Sequence, residues 1–218
     1  MLSKRLLEIA SLIDKDKVVY DVGSDHGLLP CFLLKENIAR KAYAVDNKIG
    51  PLNRAIETIN RYGLNDKVIP ILSNGIDDIK DDVNIITISG MGFYTVEKIF
   101  KDKDLSPYEK IIVQVNRNTD LLRKYISDHH FKIIDERVVY DIFYYEIVVF
   151  NADYHEAYSD LEIKYGPILL KNRDEVFIEY LKWQLEQYNK IYLVSKNNDT
   201  YEKIKEIRYV LDIMINGK

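Results

Sequence analysis

The chain contains 218 residues, of which 47% are hydrophobic and 30% charged, and it carries a formal net charge of −4. This length suits one α/β domain with a small appendage, and the slightly acidic balance provides no overall basic field for nucleic acid. No apolar run approaches the roughly 20 residues that span a bilayer, and Cys31 is the only cysteine, which indicates a cytoplasmic protein with no membrane segment and no intrachain disulfide.

Strands and helices alternate through most of the sequence. Apolar residues at helical spacing from Leu2 to Ile13 predict an amphipathic leading helix. Further patterns predict strands at 18–20, 41–45, 68–72, 85–88 and 111–115, helices at 28–35, 51–61 and 120–127, and a strand hairpin at 132–140 and 144–150. These elements predict a doubly wound α/β sheet with an antiparallel edge hairpin and a ligand crevice beyond the carboxyl ends of the parallel strands.

The character of the sequence changes towards the carboxyl terminus, where Gly166-Pro167 marks a break. Two helical patterns follow, from Phe177 to Tyr192 and from Ile204 to Met214, and Thr200 is a candidate cap of the second helix. Two helices cannot bury both of their apolar faces alone, so we expect them to dock on the rest of the chain or on a partner. The sequence therefore predicts an α/β domain over residues 1–152 and a coiled-coil-like helical hairpin over residues 153–218.

The loop after the first strand is the most informative segment, and it reads Asp21-Val22-Gly23-Ser24-Asp25-His26-Gly27. Gly23 allows a ligand to approach the backbone because it has no Cβ, and the helix that follows directs its N–H groups at that ligand. Two carboxylates, no lysine and no Gly-x-Gly-x-x-Gly spacing argue against a phosphate site. The loop suits a cationic ligand such as S-adenosylmethionine, and the alternative is a nucleotide-fold loop without ligand preference.

Two polar pairs follow the second and third strands. Asp46, with Asn47 beside it, is placed to accept hydrogen bonds from ribose hydroxyls, a device that dinucleotide enzymes share. The alternative for Asp46 is an acid that only complements a helix dipole. Asn74, before Gly75, is a candidate contact for an adenine edge, and its alternative is an ordinary turn asparagine.

The fourth strand is followed by Ser89-Gly90-Met91-Gly92-Phe93-Tyr94. Ser89 and Gly90 are candidate cofactor contacts, while Met91 and Gly92 allow a base to lie against the backbone. Phe93 and Tyr94 have rings that can stack on a flipped base, although core packing is an equal alternative for Tyr94.

Two amides and a histidine complete the candidate acceptor site. Gln114 and Asn116 close the fifth strand, where they can bond a substrate base or, alternatively, cap the next helix. His26 is a candidate residue at the entrance of the substrate site, and its equal alternative is a structural hydrogen bond within its own loop. The histidines and Cys31 lack metal-ligand spacing, so we predict no metal.

These motifs, in this order, resemble the TrmK family of bacterial tRNA (adenine-N1) methyltransferases, which act on adenine 22. The resemblance covers the leading helix to the end of the strand hairpin, and the helical hairpin matches the family's carboxy-terminal domain. It implies a class I Rossmann-like methyltransferase fold, S-adenosylmethionine as the methyl donor and tRNA as the acceptor, with the hairpin as a tRNA-binding appendage. It implies that Asp21 and Gly23 belong to the cofactor loop. It also implies that Asp46 is the ribose-binding acid, where the family usually has glutamate, and that Asn74 is the adenine contact, where the family usually has aspartate.

Two positions depart from the family pattern. Phe93 replaces the last glycine of Gly-Met-Gly-Gly, which narrows the crevice or supplies a stacking ring. Val115 replaces the proline of Gln-Pro-Asn, which removes a rigid turn.

Asp25 is the candidate catalytic residue, because methylation at N1 places a positive charge on adenine that a nearby carboxylate can balance. Its alternative is a structural or cofactor-side carboxylate. Basic residues on the leading helix and in the carboxy-terminal part are candidates for phosphate contact, although solvated surface is the commoner role for each one singly. They are Lys4, Arg5, Lys171, Arg173 and Lys182. Rival functions are a degenerate fold that binds RNA or protein, and a methyltransferase for a small molecule or protein. The sequence does not decide the oligomeric state, and a monomer is slightly favoured.

Overall fold

A computed structural model describes residues 2–217 of the chain. In this part of the chain the strands form one sheet of seven. They are β1 (Lys17–Val22), β2 (Ala39–Asp46), β3 (Val68–Leu72), β4 (Ile85–Met91), β5 (Lys110–Val115), β6 (Phe131–Tyr140) and β7 (Tyr144–Tyr154). The helices are α1 (Lys4–Ser11), α2 (Leu28–Lys35), α3 (Ile49–Tyr62), α4 (Phe93–Phe100), α5 (Thr119–Asp128), α6 (Asp160–Tyr165), α7 (Pro167–Asn172), α8 (Glu175–Ser195) and α9 (Asn198–Asn216).

The strand order in the sheet is β3-β2-β1-β4-β5-β7-β6. Strands β1 to β5 are parallel, and β7 runs antiparallel to both β5 and β6. The chain order reverses between β1 and β4, so the crevice for a ligand lies at the carboxyl ends of these two strands. The predicted doubly wound sheet with an antiparallel edge hairpin is confirmed.

The central strands are buried, as their near-continuous apolar runs predict. Val19, Ile85 and Ile112 are almost fully buried and belong to one apolar cluster with residues of α1, α2 and α3. Tight packing under the sheet gives the loops at its carboxyl edge a rigid base.

The structure differs from the sequence prediction at four helices. The short helices α6 and α7, between the strand hairpin and α8, were not predicted. The prediction omitted α4, in which Phe93, Val96 and Phe100 form a buried face at helical spacing directly after the glycine motif. The prediction that Thr200 caps α9 is wrong, because the Asn197 side chain accepts hydrogen bonds from the N–H groups of Asp199 and Thr200.

The chain divides into two compact units between Gly166 and Pro167. The segment after β7 belongs to the first unit, since the Tyr158 hydroxyl accepts a bond from the Ile133 N–H and the Tyr158 N–H donates to Ser127 Oγ. These bonds explain why the division falls later than the change of sequence character near residue 152. In the second unit α8 and α9 form a helical hairpin, with the rings of Tyr192 and Tyr201 stacked 5.4 Å apart near its turn.

A buried arginine links α5 to the strand hairpin and to α6. Arg123 Nε donates to Glu136 at 2.6 Å, and its Nη2 donates to Glu146 at 2.7 Å. Burial disfavours the guanidinium charge, but the two carboxylates outweigh burial and raise the pKa of Arg123. The side chains of Arg123 and Glu136 are almost fully buried, so the ion pair is shielded from solvent.

We expect Arg123→Ala to lower the free energy of unfolding by about 3 to 5 kcal/mol, because it removes the cation that pairs with buried Glu136 and with partly exposed Glu146. Urea denaturation measures this change. Lys124→Ala is the matched control, since Lys124 forms only an exposed pair with Asp128, and it should change stability by less than about 0.5 kcal/mol. Equal effects from the two variants would contradict this account of the ion pair.

Candidate active site

A cavity of about 530 Å³ lies at the carboxyl edge of the sheet. This volume is within the range of roughly 300–1,000 Å³ that is typical of small-molecule sites. The structure brings all the predicted cofactor residues except Asp21 to this cavity, which we call the cofactor cavity. Its lining includes Gly23, Asp46, Asn47, Asn74, Gly75, Ser89, Gly90 and Met91.

Gly23 forms a close-packed part of the cavity wall. Its φ of +73° lies in the left-handed region, and a Cβ there would clash with Met91 Cε. The Gly23 N–H donates to the Val45 carbonyl at 2.8 Å, which ties the loop after β1 to β2. A side chain at this position would therefore be strained in its backbone and would displace Met91.

The acidic and amide groups of the cofactor cavity have defined partners. Asp46 Oδ1 accepts from the Lys48 N–H at 3.0 Å, in the loop between β2 and α3. Asn74 Nδ2 lies 3.5 Å from Asp77 Oδ2, and Asp77 pairs with Lys103 at 2.6 Å. The hydrogen bond from Lys103 lowers the pKa of Asp77. The cavity thus presents acidic side chains and an amide, a donor and acceptor set that fits the hydroxyls, amino groups and cationic centre of S-adenosylmethionine.

Asp21 lies beneath the loop rather than in the cofactor cavity. Its carboxyl group accepts from Thr87 Oγ1 at 2.7 Å, which joins β1 to β4. Burial raises its pKa from 3.8 to about 6, although the Thr87 bond opposes this shift. The carboxyl therefore carries a burial penalty at neutral pH.

A second cavity of about 320 Å³ adjoins the first, and we call it the acceptor cavity. Gly23, Ser89 and Gly90 line both cavities. The acceptor cavity also contains Asp21, Asp25 and His26, so the structure brings the candidate catalytic residue Asp25 beside the cofactor cavity.

Asp25 is held by an arginine that the sequence analysis did not identify. Arg54 of α3 binds Asp25 Oδ1 through Nε, at 3.2 Å, and through Nη2. Asp25 Oδ2 lies 3.6 Å from His26 Nε2. Arg54 therefore fixes one oxygen of the carboxylate and leaves the other without a bond from the guanidinium.

Gln114 and Asn116 line neither cavity but hold the backbone of the cavity wall. Gln114 Oε1 accepts from the Gly90 N–H at 3.0 Å, and Asn116 Nδ2 donates to the Gly90 carbonyl at 2.7 Å. Neither residue caps α5, whose N-cap is Asn118. Their contacts with Gly90 make them supports of the wall in this structure.

The remaining predicted substrate residues lie at the start of α4. Gly92 is the N-cap residue of this helix. Phe93 is only 6% exposed, whereas Tyr94 is 62% exposed, so Tyr94 alone of the two presents most of its ring to solvent. Both rings line a third cavity, between α4 and α5, and neither lines the acceptor cavity.

The described residues, 2–217, contain no group of three or more side chains suited to hold a metal ion. Within the same residues, no helix is both long and apolar enough to cross a membrane.

Comparison with known proteins agrees with this architecture. A family model described as tRNA (adenine(22)-N(1))-methyltransferase, TrmK, matches residues 19–215. The tRNA (adenine(22)-N(1))-methyltransferase of Bacillus subtilis is 31% identical over 98% of this chain and 94% of its own length. Sp1610 of Streptococcus pneumoniae, solved with S-adenosyl-L-methionine, has a TM-score of 0.88 at 30% identity, over 97% of this chain and 100% of its own. TrmK of M. capricolum, solved with S-adenosyl-homocysteine, has a TM-score of 0.85 at 30% identity, over 98% of this chain and 99% of its own.

The sheet order, the cavity at its switch point and these relatives define a class I methyltransferase that uses S-adenosylmethionine. Because the family model spans most of the chain and a relative of 31% identity covers nearly all of it, the family is established. The chain belongs to the TrmK family of tRNA (adenine(22)-N(1))-methyltransferases.

The raised pKa of Asp21 predicts a pH-dependent stability. Between about pH 4 and pH 6 the folded state binds more protons than the unfolded state, so stability falls as the pH rises through this window. The free energy of unfolding of the native protein, relative to Asp21→Asn, should fall by up to about 3 kcal/mol from pH 4 to pH 7. Urea denaturation across this range tests the prediction, and parallel curves for the two proteins would refute it.

Proposed function

We propose that this protein transfers a methyl group from S-adenosylmethionine to N1 of adenine 22 in tRNA. The observation that carries the proposal is the pair of adjoining cavities, which share Gly23, Ser89 and Gly90. One cavity has the groups suited to an adenosine cofactor, and the other contains a carboxylate suited to a base that becomes cationic. The Bacillus subtilis relative is a tRNA (adenine(22)-N(1))-methyltransferase, which supports the same substrate for this protein.

Three residues account for binding of the cofactor in the proposal. Asp46 accepts hydrogen bonds from the ribose hydroxyls, and Asn74 bonds the adenine edge. Gly23 lines the cofactor cavity and has no Cβ, so it permits close approach of the cofactor to the backbone. When bound, S-adenosylmethionine supplies a methyl group on a positively charged sulfur, which leaves as a neutral thioether.

The acceptor cavity accounts for the choice and alignment of the base. Neutral adenine N1 is already a nucleophile, so the protein mainly supplies alignment and exclusion of water. The base leaves its stack to reach the cavity. Asp25 Oδ2, which Arg54 leaves available, accepts from the adenine N6–H group and balances the positive charge as N1 becomes methylated. Gln114 and Asn116 contribute by holding the Gly90 wall.

The second unit is proposed to contact the tRNA outside the target nucleotide. Lys171 and Lys182 are partly to fully exposed on α7 and α8, where they can meet phosphates. We further propose that the protein acts in the cytoplasm, where its tRNA substrate is found, and that it acts as a monomer. Sedimentation at micromolar concentration tests the oligomeric state.

Two variants, one in each cavity, test the roles proposed for the acceptor cavity and the cofactor cavity. Asp25→Asn should abolish methyl transfer, by at least about a hundredfold, while the Kd for S-adenosylmethionine stays within a few-fold. Asp46→Asn should instead weaken cofactor binding by about tenfold or more, because it removes a charged acceptor. Calorimetry measures the cofactor affinity, and labelled methyl transfer to unmodified tRNA measures turnover.

The outcomes separate the proposal from its rivals. Mapping of the label to another nucleotide would show a different tRNA substrate, and label on a protein or small molecule would show another class of acceptor. Failure of the native protein to bind S-adenosylmethionine would exclude both enzymatic functions. Full turnover by Asp25→Asn would refute the assigned role of Asp25.

Charge reversal tests the role of the second unit. Lys171→Glu with Lys182→Glu should weaken tRNA binding about tenfold and leave cofactor affinity unchanged, because each lysine is proposed to meet a phosphate. Filter binding at constant salt measures the effect. The same reversal at Lys15, an exposed lysine of the first unit, serves as the control. No loss of tRNA affinity in the double variant would contradict a tRNA-binding role for these lysines.

A further inference from the structure

Arg5 brings the leading helix into the active site. Its Nη1 donates to Gln114 Oε1 at 2.5 Å, although 109 residues separate the two in sequence. The same nitrogen packs over Gly90, where a Cβ would lie 3.1 Å away. The guanidinium carbon lies 5.2 Å from the centre of the Tyr145 ring, a distance suited to a cation–π contact. Arg5 is therefore fixed by a β5 side chain, the β4 backbone at Gly90 and a β7 ring.

The charge of this fixed guanidinium is not neutralised by the rest of the described chain. Within residues 2–217, no carboxylate forms an ion pair with Arg5, whereas Arg54 and Arg123 each bind one or two. Arg5 is half-buried and lines the acceptor cavity together with Asp25 and His26. Gln114 engages only Nη1. The acceptor cavity is thus lined by the positively charged guanidinium of Arg5, which is held in one orientation and has N–H donors that Gln114 does not engage.

We propose that Arg5 is a phosphate-binding residue that positions the RNA backbone beside the target nucleotide. This inference rests on the proposed function. A nucleotide that leaves its stack turns about its backbone, so its flanking phosphates come to the mouth of the cavity that receives the base. The planar guanidinium matches two phosphate oxygens at once.

The product chemistry favours the phosphate over the base as the partner of Arg5. Methylation at N1 gives the adenine a positive charge, which a guanidinium in direct contact would repel. A phosphate stays anionic throughout the reaction, so contact with it strengthens binding without opposing the transfer. The negative charge of Asp25, an exposed carboxylate in the same cavity, suits the positively charged methylated base.

Lys4 provides a matched control. It is the neighbour of Arg5 on α1 and is exposed, and it does not line the acceptor cavity. The sequence alone makes the two residues equal candidates for phosphate contact, whereas the structure separates them. A general loss of positive charge from α1 would affect both variants alike.

The test measures tRNA binding as a function of salt for the full-length protein with Arg5→Gln, Arg5→Lys and Lys4→Gln, in the presence of S-adenosyl-homocysteine. We expect Arg5→Gln to weaken tRNA binding about tenfold and to reduce the slope of log affinity against log salt by about one phosphate contact. Arg5→Lys should restore the slope, because it restores the charge. Lys4→Gln should change the affinity by less than about twofold. Cofactor affinity should stay within about twofold in all three variants.

Two results would overturn the inference. An unchanged salt slope in Arg5→Gln would show that the residue meets no phosphate. A loss of cofactor affinity equal to the loss of tRNA affinity would show that Arg5 only supports the Gly90 wall. Failure of the proposed function gives a different result, since tRNA would then bind with the expected slopes and yet receive no methyl group at adenine 22.

Discussion

The backbone of Gly90 is held by side chains at both of its peptide groups, and the two cavities depend on this restraint. Gln114 accepts from its N–H group and Asn116 donates to its carbonyl. Its φ of +79° suits glycine, and the absence of a Cβ admits the Arg5 guanidinium against the chain. Because Gly90 lines both cavities, its position sets how a cofactor and an acceptor would face each other.

The two carboxylates of the first loop both line the acceptor cavity, but they differ in burial and in their partners. Asp21 is buried against Thr87, and burial raises its pKa to about 6. Asp25 is half-exposed and paired with Arg54 in the acceptor cavity. A buried carboxyl at the strand end stabilises the link from β1 to β4 through a hydrogen bond. An exposed and oriented carboxylate is suited to a base that gains charge.

The sequence was sufficient to predict residues that line the cofactor cavity, because the topology of the sheet determines where these residues lie. Residues that follow parallel strands meet at one sheet edge, so the positions of Gly23, Asp46 and Asn74 follow from the strand pattern alone. The contacts of Arg5 and Arg54 did not follow, since they depend on the packing of α1 and α3 against distant segments. The buried spacing of Phe93, Val96 and Phe100 could have identified α4, but the glycine motif before it suggested only a loop.

The two departures from the family pattern fall outside both cavities. Phe93 lies in the buried face of α4 and lines neither the cofactor cavity nor the acceptor cavity, so its ring does not narrow the crevice as expected. Val115 stays within β5, pairs with Met91 of β4 and receives a hydrogen bond from Gln114 at its carbonyl. Pairing with β4, which has a register shift between Ser89 and Met91, therefore orients Gln114 at the end of β5 without the rigidity of a proline. Neither Phe93 nor Val115 contributes a side chain to the lining of either cavity, so both residues act in packing rather than in the chemistry of the site.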